Sequence, residues 1–250
     1  MALFDKKNCD ICGGKIGLLG NRKLEDGNLC KDCANKLSPF FSERRRSTVA
    51  DIRAHLTYRE DNQAAVMAFN TTRTIGKGTK VFLDEDAGKF LVTSARRLEG
   101  ENPDVLDFSQ VTGCLIDVKD SKTEQKQKDN EGKLVSYSPP RYIYSYDFYI
   151  TIQVNNPWFT EINFKVNDQS IKSTETTSGP EAGRRSNDYR ECEALANEIK
   201  EALTQIRQSS REVASFVNAP KIAQTCPHCG ATTTPDASGR CEYCGGAIQA

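Results

Sequence analysis

Long apolar runs are missing from this sequence, and so is an excess of charge of either sign. No stretch approaches the roughly 20 consecutive apolar residues that a membrane-spanning helix requires. The opening Met1-Ala-Leu-Phe-Asp-Lys-Lys7 carries no apolar signal core, so export is not expected and a cytoplasmic location is. Lys+Arg and Asp+Glu each number 34. That balance excludes a globally basic chain that grips nucleic acid by charge alone. Histidine is scarce: His55 and His228 are the only two, and neither lies beside a nucleophile motif. No acid–base set converges in the sequence, and neither an enzymatic activity nor a small-molecule substrate is expected. Ile75-Gly76-Lys77-Gly78-Thr79 lacks the spacing of a phosphate-binding loop and reads as a loop entering a strand. Apolar residues make up 37% of the chain, enough for a core of modest size.

What the sequence does have is cysteine. Of its ten cysteines, eight fall into four Cys-x-x-Cys pairs: Cys9/Cys12, Cys30/Cys33, Cys226/Cys229 and Cys241/Cys244. Paired spacing of this kind reads as tetrahedral zinc sites, one Zn2+ per four-cysteine set. Disulfides would call for an oxidising compartment, and a redox role would call for a thioredoxin-like strand–helix setting; neither is indicated. The remaining Cys114 and Cys192 fall on apolar faces and read as core thiols.

Residues 1–42 form the first expected module. Gly13-Gly14 behind Cys12 permits a tight turn, and Asp26-Gly27 predicts a small hairpin between the Cys pairs. Cys30-Lys-Asp-Cys33 opens a short helix that ends before Pro39, with its N–H groups near the thiolates. Knuckle, hairpin, then a helix with the second ligand pair is the order of a treble clef. Over about residues 9–40 the segment resembles the N-terminal four-cysteine domain of an uncharacterised bacterial family; that resemblance implies a bound metal and no particular activity. At this size the metal replaces a hydrophobic core. Any recognition role falls to the hairpin of residues 15–29, with Arg22 and Lys23 exposed.

Residues 43–74 read as a helical connector. Ser47 is placed to cap a helix carrying Val49, Ile52 and Leu56, and a further turn or two runs from Asn62 to Phe69. Arg44-Arg45-Arg46 reads as a solvated charge run, and His55 as a satisfied or exposed histidine.

From residue 75 to 208 the period changes to two. Lys80–Asp84 and Lys89–Ser94 predict a hairpin, and Gly113–Lys119 another strand. The alternation of Tyr142, Tyr144, Tyr146, Phe148, Ile150, Ile152 and Val154 predicts a long strand with one wet face, followed by a partner beyond Asn155-Asn156-Pro157. The tyrosine row reads as core packing; no basic groove accompanies it for stacked bases. Asp120–Lys133 and Ser170–Asn187 read as mobile polar loops, with Ile171-Lys-Ser-Thr as a weak extra strand. A helix capped at Asp188 carries Cys192, Leu195, Ala196, Ile199, Leu203 and Ile206 on one stripe. Strands followed by one such helix resemble pleckstrin-homology-like and GRAM-type domains, which implies a bent antiparallel barrel plugged by the helix and a lipid or protein ligand. The acidic Glu85-Asp86 turn argues against a phosphoinositide site there.

Residues 209–224 read as a linker, and residues 225–250 resemble a minimal zinc ribbon, with His228 a bystander. The expected fold class is therefore α+β: two small zinc modules flanking a barrel with a C-terminal helix. The expected function is a non-catalytic adaptor that meets a protein partner. One alternative is an anionic membrane reached through the barrel, or through Arg44–Arg46 with Arg96-Arg97. Another is nucleic acid reached through residues 1–46, which hold ten Lys/Arg against six Asp/Glu. The ribbon, with one Arg, is too weakly basic for nucleic acid.

Overall fold

The structure is a computed structural model that describes residues 7–98, 100–173, 183–218, 224–234 and 240–248. The chain divides into two compact units, Met1–Ile206 and Arg207–Ala250.

The first unit begins with a hairpin, β1 (Arg22–Lys23) and β2 (Asn28–Leu29), and a short helix α1 (Lys31–Asn35). Next, where a broken connector was expected, comes one continuous helix, α2 (Val49–Ala68). Its cap is Thr48 and not Ser47: Thr48 Oγ1 accepts from the Asp51 N–H, and the Asp51 carboxylate accepts from the Thr48 N–H. This reciprocal pair satisfies donors that a helix start leaves unmet.

Two antiparallel sheets follow. One has the order β3 (Arg73–Gly76), β4 (Lys80–Asp84), β5 (Lys89–Thr93), β6 (Val105–Asp107). The β4–β5 hairpin is the expected one. Ile75-Gly76-Lys77-Gly78-Thr79 is the turn region of a β3–β4 hairpin and not a loop entering the first strand. In the other sheet β7 (Val111–Lys128), β9 (Glu161–Lys165) and β10 (Ile171–Lys172) all pair with β8 (Leu134–Val154). The weak strand at Ile171 therefore exists, paired with Tyr146 and Ser145. Among the described residues the strands do not close a barrel.

Both sheets share one core with α3 (Asn187–Asn218). Tyr146, Phe148, Ile150 and Ile152 of β8 are fully buried, as the alternation requires, and Ala196, Ile199 and Leu203 meet them from the helix. Cys114 is buried in this core, and Cys192 and Leu195 pack against it. The side chain of Ile206 lies outside the described residues. The cap lies two residues before the expected Asp188: Ser186 Oγ accepts the Tyr189 N–H at 3.2 Å. The helix also continues to Asn218, past the expected linker boundary. Residues 174–182 of the second polar insertion and residues 219–223 of the linker lie outside the described residues.

The other polar insertion is not a loop. Asp120–Lys128 continues β7, and Leu134–Tyr142 returns along β8 as a two-stranded ribbon in which no residue from 119 to 145 is buried. Cation–π contacts support it: across the strands Lys122 Nζ lies 3.8 Å from the centre of the Tyr142 ring, and within β8 the Arg141 guanidinium lies 4.5 Å from that of Tyr137. Residues 137–140 have no partner across the ladder, at the place where Pro139 and Pro140 offer it no N–H.

The first module is joined to the sheets through buried polar contacts. The side chains of Arg59 and Asp104 are 7% and 0% exposed and pair at 2.5 Å. The Asp104 carboxylate also accepts from Ser38 Oγ at 2.7 Å and from the Tyr58 hydroxyl at 3.3 Å. Arg59 donates further to the Asn102 and Lys36 carbonyls. Burial pushes the Asp104 carboxyl up from its ordinary pKa, while Arg59, Ser38 and Tyr58 pull against that.

Beside this network His55, neither exposed nor fully satisfied, is completely buried. Its ring stacks on Trp158 at 4.7 Å and meets Phe41 edge-on at 4.5 Å. Nε2 accepts from the Ser38 N–H, so the ring proton sits on Nδ1, which has no partner. Burial, with Arg59 nearby, lowers the pKa to about 4 from 6.5. A base whose folded pKa is depressed stabilises the fold fully above its unfolded pKa, and that contribution is lost as pH falls. Urea titrations should therefore show stability declining between pH 6.5 and about 4, by up to about 3 kcal/mol. His55→Gln should flatten this part of the profile. Because acid also protonates thiolates, the difference between the two proteins is the readout; parallel profiles would contradict the assignment.

Candidate metal centres

Three of the four Cys-x-x-Cys pairs fold into the same backbone knuckle. The N–H of the residue four positions after the first cysteine, a glycine in each case, donates back to that cysteine's carbonyl: Gly13 to Cys9, Gly230 to Cys226 and Gly245 to Cys241, at 2.8–2.9 Å. These glycines have φ of +71°, +73° and +69°, which side chains rarely tolerate. The expectation that glycine turns the chain behind the thiolates is met by Gly13. The fourth pair is held differently. Cys30 is the N-cap of α1, and its sulfur accepts the Cys33 N–H at 3.3 Å.

The first centre gathers Cys9, Cys12, Cys30 and Cys33, and the second Cys226, Cys229, Cys241 and Cys244. Within each set all four sulfurs lie within 4.8 Å of one another. Cys12 and Cys30 are 3.7 Å apart, Cys226 and Cys244 3.6 Å, and Cys229 and Cys241 3.7 Å. None of these is a disulfide. Four sulfurs at about 2.3 Å from one ion would stand about 3.8 Å from each other. The donor sets therefore fit a tetrahedral metal ion.

Backbone N–H groups prepare the sulfurs for a metal. Cys9 is 2% exposed, and its burial opposes ionisation. The N–H groups of Cys12, Cys30 and Ile11 outweigh that and bring its pKa down to about 6. In the second centre the N–H groups of His228 and Cys229 bring Cys226 to about 6 against its desolvation. Cys33 is pushed up by burial and by the neighbouring sulfurs. Each cluster thus holds one sulfur that ionises readily and one pushed the other way, Cys33 in the first and Cys244 in the second, and a shared cation removes that conflict.

Residues 7–55 match a family model described as "Domain of unknown function (DUF4428)". The match spans the first centre, the hairpin, α1 and the start of α2. No curated protein and no solved structure matches the chain.

Around the first centre the expected order of knuckle, hairpin and helix is present. The Asp26-Gly27 turn packs on the start of α2: Asp26 Oδ1 accepts the Val49 N–H at 2.7 Å, and a Cβ on Gly27 would stand 2.6 Å from Val49 Cγ2. In the second unit a hairpin of β11 (Gln224–Thr225) and β12 (Thr232–Thr233) follows the knuckle order. His228 is not among the clustered donors; its ring lies over Gly246. Tyr243 is exposed. Among the described residues no helix is long and apolar enough to cross a membrane.

Proposed function

We propose that this protein is a non-catalytic zinc-binding adaptor that joins a protein partner in the cytoplasm. The observation that carries this reading is the completeness of both donor sets. Each already supplies four thiolates, and a zinc site so filled keeps no position for water or substrate. Soft thiolates in tetrahedral array favour zinc. On this reading residues 1–42 are a treble-clef-like module, residues 225–250 a zinc ribbon, and the two sheets with α3 an opened variant of the pleckstrin-homology-like architecture.

The partner-facing element on this reading is the β7–β8 ribbon. An isolated two-stranded ribbon is marginal in water, and its unpaired backbone edges invite another strand. A photo-crosslinking residue at Gln127 should give a discrete protein adduct in cells, and one at Glu85, in the β4–β5 turn, should not. Identical adduct patterns from the two positions would sink the ribbon's role.

A further inference from the structure

Two features around the first four-cysteine centre play no part in the adaptor reading. Leu18 and Leu19 are 75% and 88% exposed, at the tip of a turn closed by Gly20 N–H to the Gly17 carbonyl. Immediately after this tip the chain enters the lining of a cavity of about 680 Å³ formed by residues that include Arg22, Lys23, Arg44 and Arg45, with Asn21 and Glu25. Arg22 fastens the two together, donating from Nη1 to the Leu19 carbonyl at 3.2 Å. The arginine run was expected to be solvated, or to act with Arg96-Arg97. Instead Arg44 and Arg45 converge with residues more than twenty positions earlier in the chain.

Glu25 is the one acidic residue in this lining, against four cations. Among the described residues none of its four cations forms an ion pair, whereas the neighbouring Arg46 pairs with Glu43. Arg44 Nη1 is buried with no hydrogen-bond acceptor. Burial, with Arg22 and Arg45 close by, holds the Arg44 guanidinium below its ordinary pKa. Leaving a buried cationic donor unmatched is costly, and an oxyanion with several acceptor oxygens removes that cost.

We propose that this face docks on an anionic bilayer, with Leu18 and Leu19 entering the acyl boundary and the Arg22/Lys23/Arg44/Arg45 cavity receiving a phosphomonoester headgroup. The shape of the tip selects this occupant. It is convex and glycine-flanked, so it suits a deformable apolar medium, while nucleic acid offers nothing to two exposed leucines. A monoester phosphate presents more charge and more free oxygens to converging guanidiniums than a diester does. The inference goes beyond the adaptor reading, and its failure leaves the ribbon crosslink untouched.

Flotation of the zinc-loaded full chain tests it, with phosphatidylcholine vesicles carrying either phosphatidic acid or phosphatidylserine at matched surface charge. Recruitment is expected on phosphatidic acid, weaker on phosphatidylserine, and diminished by salt. Leu18→Ser/Leu19→Ser should weaken it at least about tenfold with unchanged zinc content and melting, since both side chains are already in solvent. Lys23→Ala/Arg45→Ala, at two exposed positions, should weaken it about fivefold per charge removed. Absence of recruitment, or recruitment that survives both double variants, overturns the proposal. Equal binding to the two matched lipids overturns the headgroup cavity. Retention on a DNA duplex without vesicle binding assigns the face to nucleic acid and overturns it as well.

Discussion

Replacing Cys9 or Cys241 by serine is expected to release one metal ion each and to unfold the module concerned. The expectation rests on how little else either module contains. Among the described residues the buried apolar cluster around the first centre is Cys9, Leu24, Leu29, Cys33, Leu37 and Ile52, two of which are themselves among the clustered sulfur donors. The cluster around the second is Cys226, Cys241 and Ile248. Among the described residues these three are the only buried apolar ones there, too few to offset the ordering of even a small module, where each residue costs about 1–2 kcal/mol of backbone entropy. Structural zinc supplies apparent folding free energies of about 10–16 kcal/mol in small modules, so losing a ligand removes most of what holds the module together. For Cys241→Ser, limited proteolysis should cut within residues 224–248 while the melting of residues 1–206, a separate unit, stays where it was. For Cys9→Ser the damage should spread. Residues after α1 supply Ser38 and Phe41 to the contacts around Asp104 and His55, so thermal melting of the first unit should fall as well. A Cys9→Ser protein that melts like the wild type would show that the metal is incidental to the fold.

The second large effect is expected at Asp104. Asp104→Asn keeps the shape and removes the charge, leaving the Arg59 guanidinium buried and unpaired. Breaking a buried ion pair from one side typically costs about 3–5 kcal/mol. In a unit of this size that corresponds to a fall in Tm on the order of 10 °C. Replacing both partners, as Arg59→Met/Asp104→Leu, should recover much of the loss, because a buried pair and an apolar pair of similar volume are often near equal. Calorimetry of the three variants separates the outcomes. If Asp104→Asn and the double replacement destabilise equally, the cost lies in packing and not in the stranded charge.

The two four-cysteine clusters were legible in the sequence because their pattern is local. Four Cys-x-x-Cys pairs, with glycine behind three of them, specify ligand, spacing and turn within five residues each. The β4–β5 hairpin and the buried face of β8 were legible for the same reason, since alternation is a property of neighbours. What was missed depends on residues far apart in the chain. Arg59 and Asp104 are 45 positions apart, and nothing in the residues around either one announces the other. His55 looked ordinary because Trp158, the ring it stacks on, comes from a loop beyond β8. The distal ribbon was misread for a different reason. Lys, Glu, Gln and Ser dominate it, a composition that reads as loop, yet its strands are held by cross-strand pairing and cation–π contacts and bury no residue. The barrel expectation rested on strand number and helix position; those features do not fix whether a sheet closes, and here the strands pair as two separate sheets. Arg22 and Arg44 are a further instance: each sits in an unremarkable charge run, and only the packing of β1 against the Glu43–Arg46 turn makes them a cluster.

Native mass spectrometry of the full chain, purified under reducing conditions, tests the central claim most directly. The expected mass is that of the polypeptide plus two zinc ions, falling to one in Cys9→Ser and to one in Cys241→Ser, with eight thiols unreactive to alkylation until a chelator is added. A metal-free chain with those thiols freely alkylated, or a chain lighter by two hydrogens for each Cys pair joined as a disulfide, would contradict it.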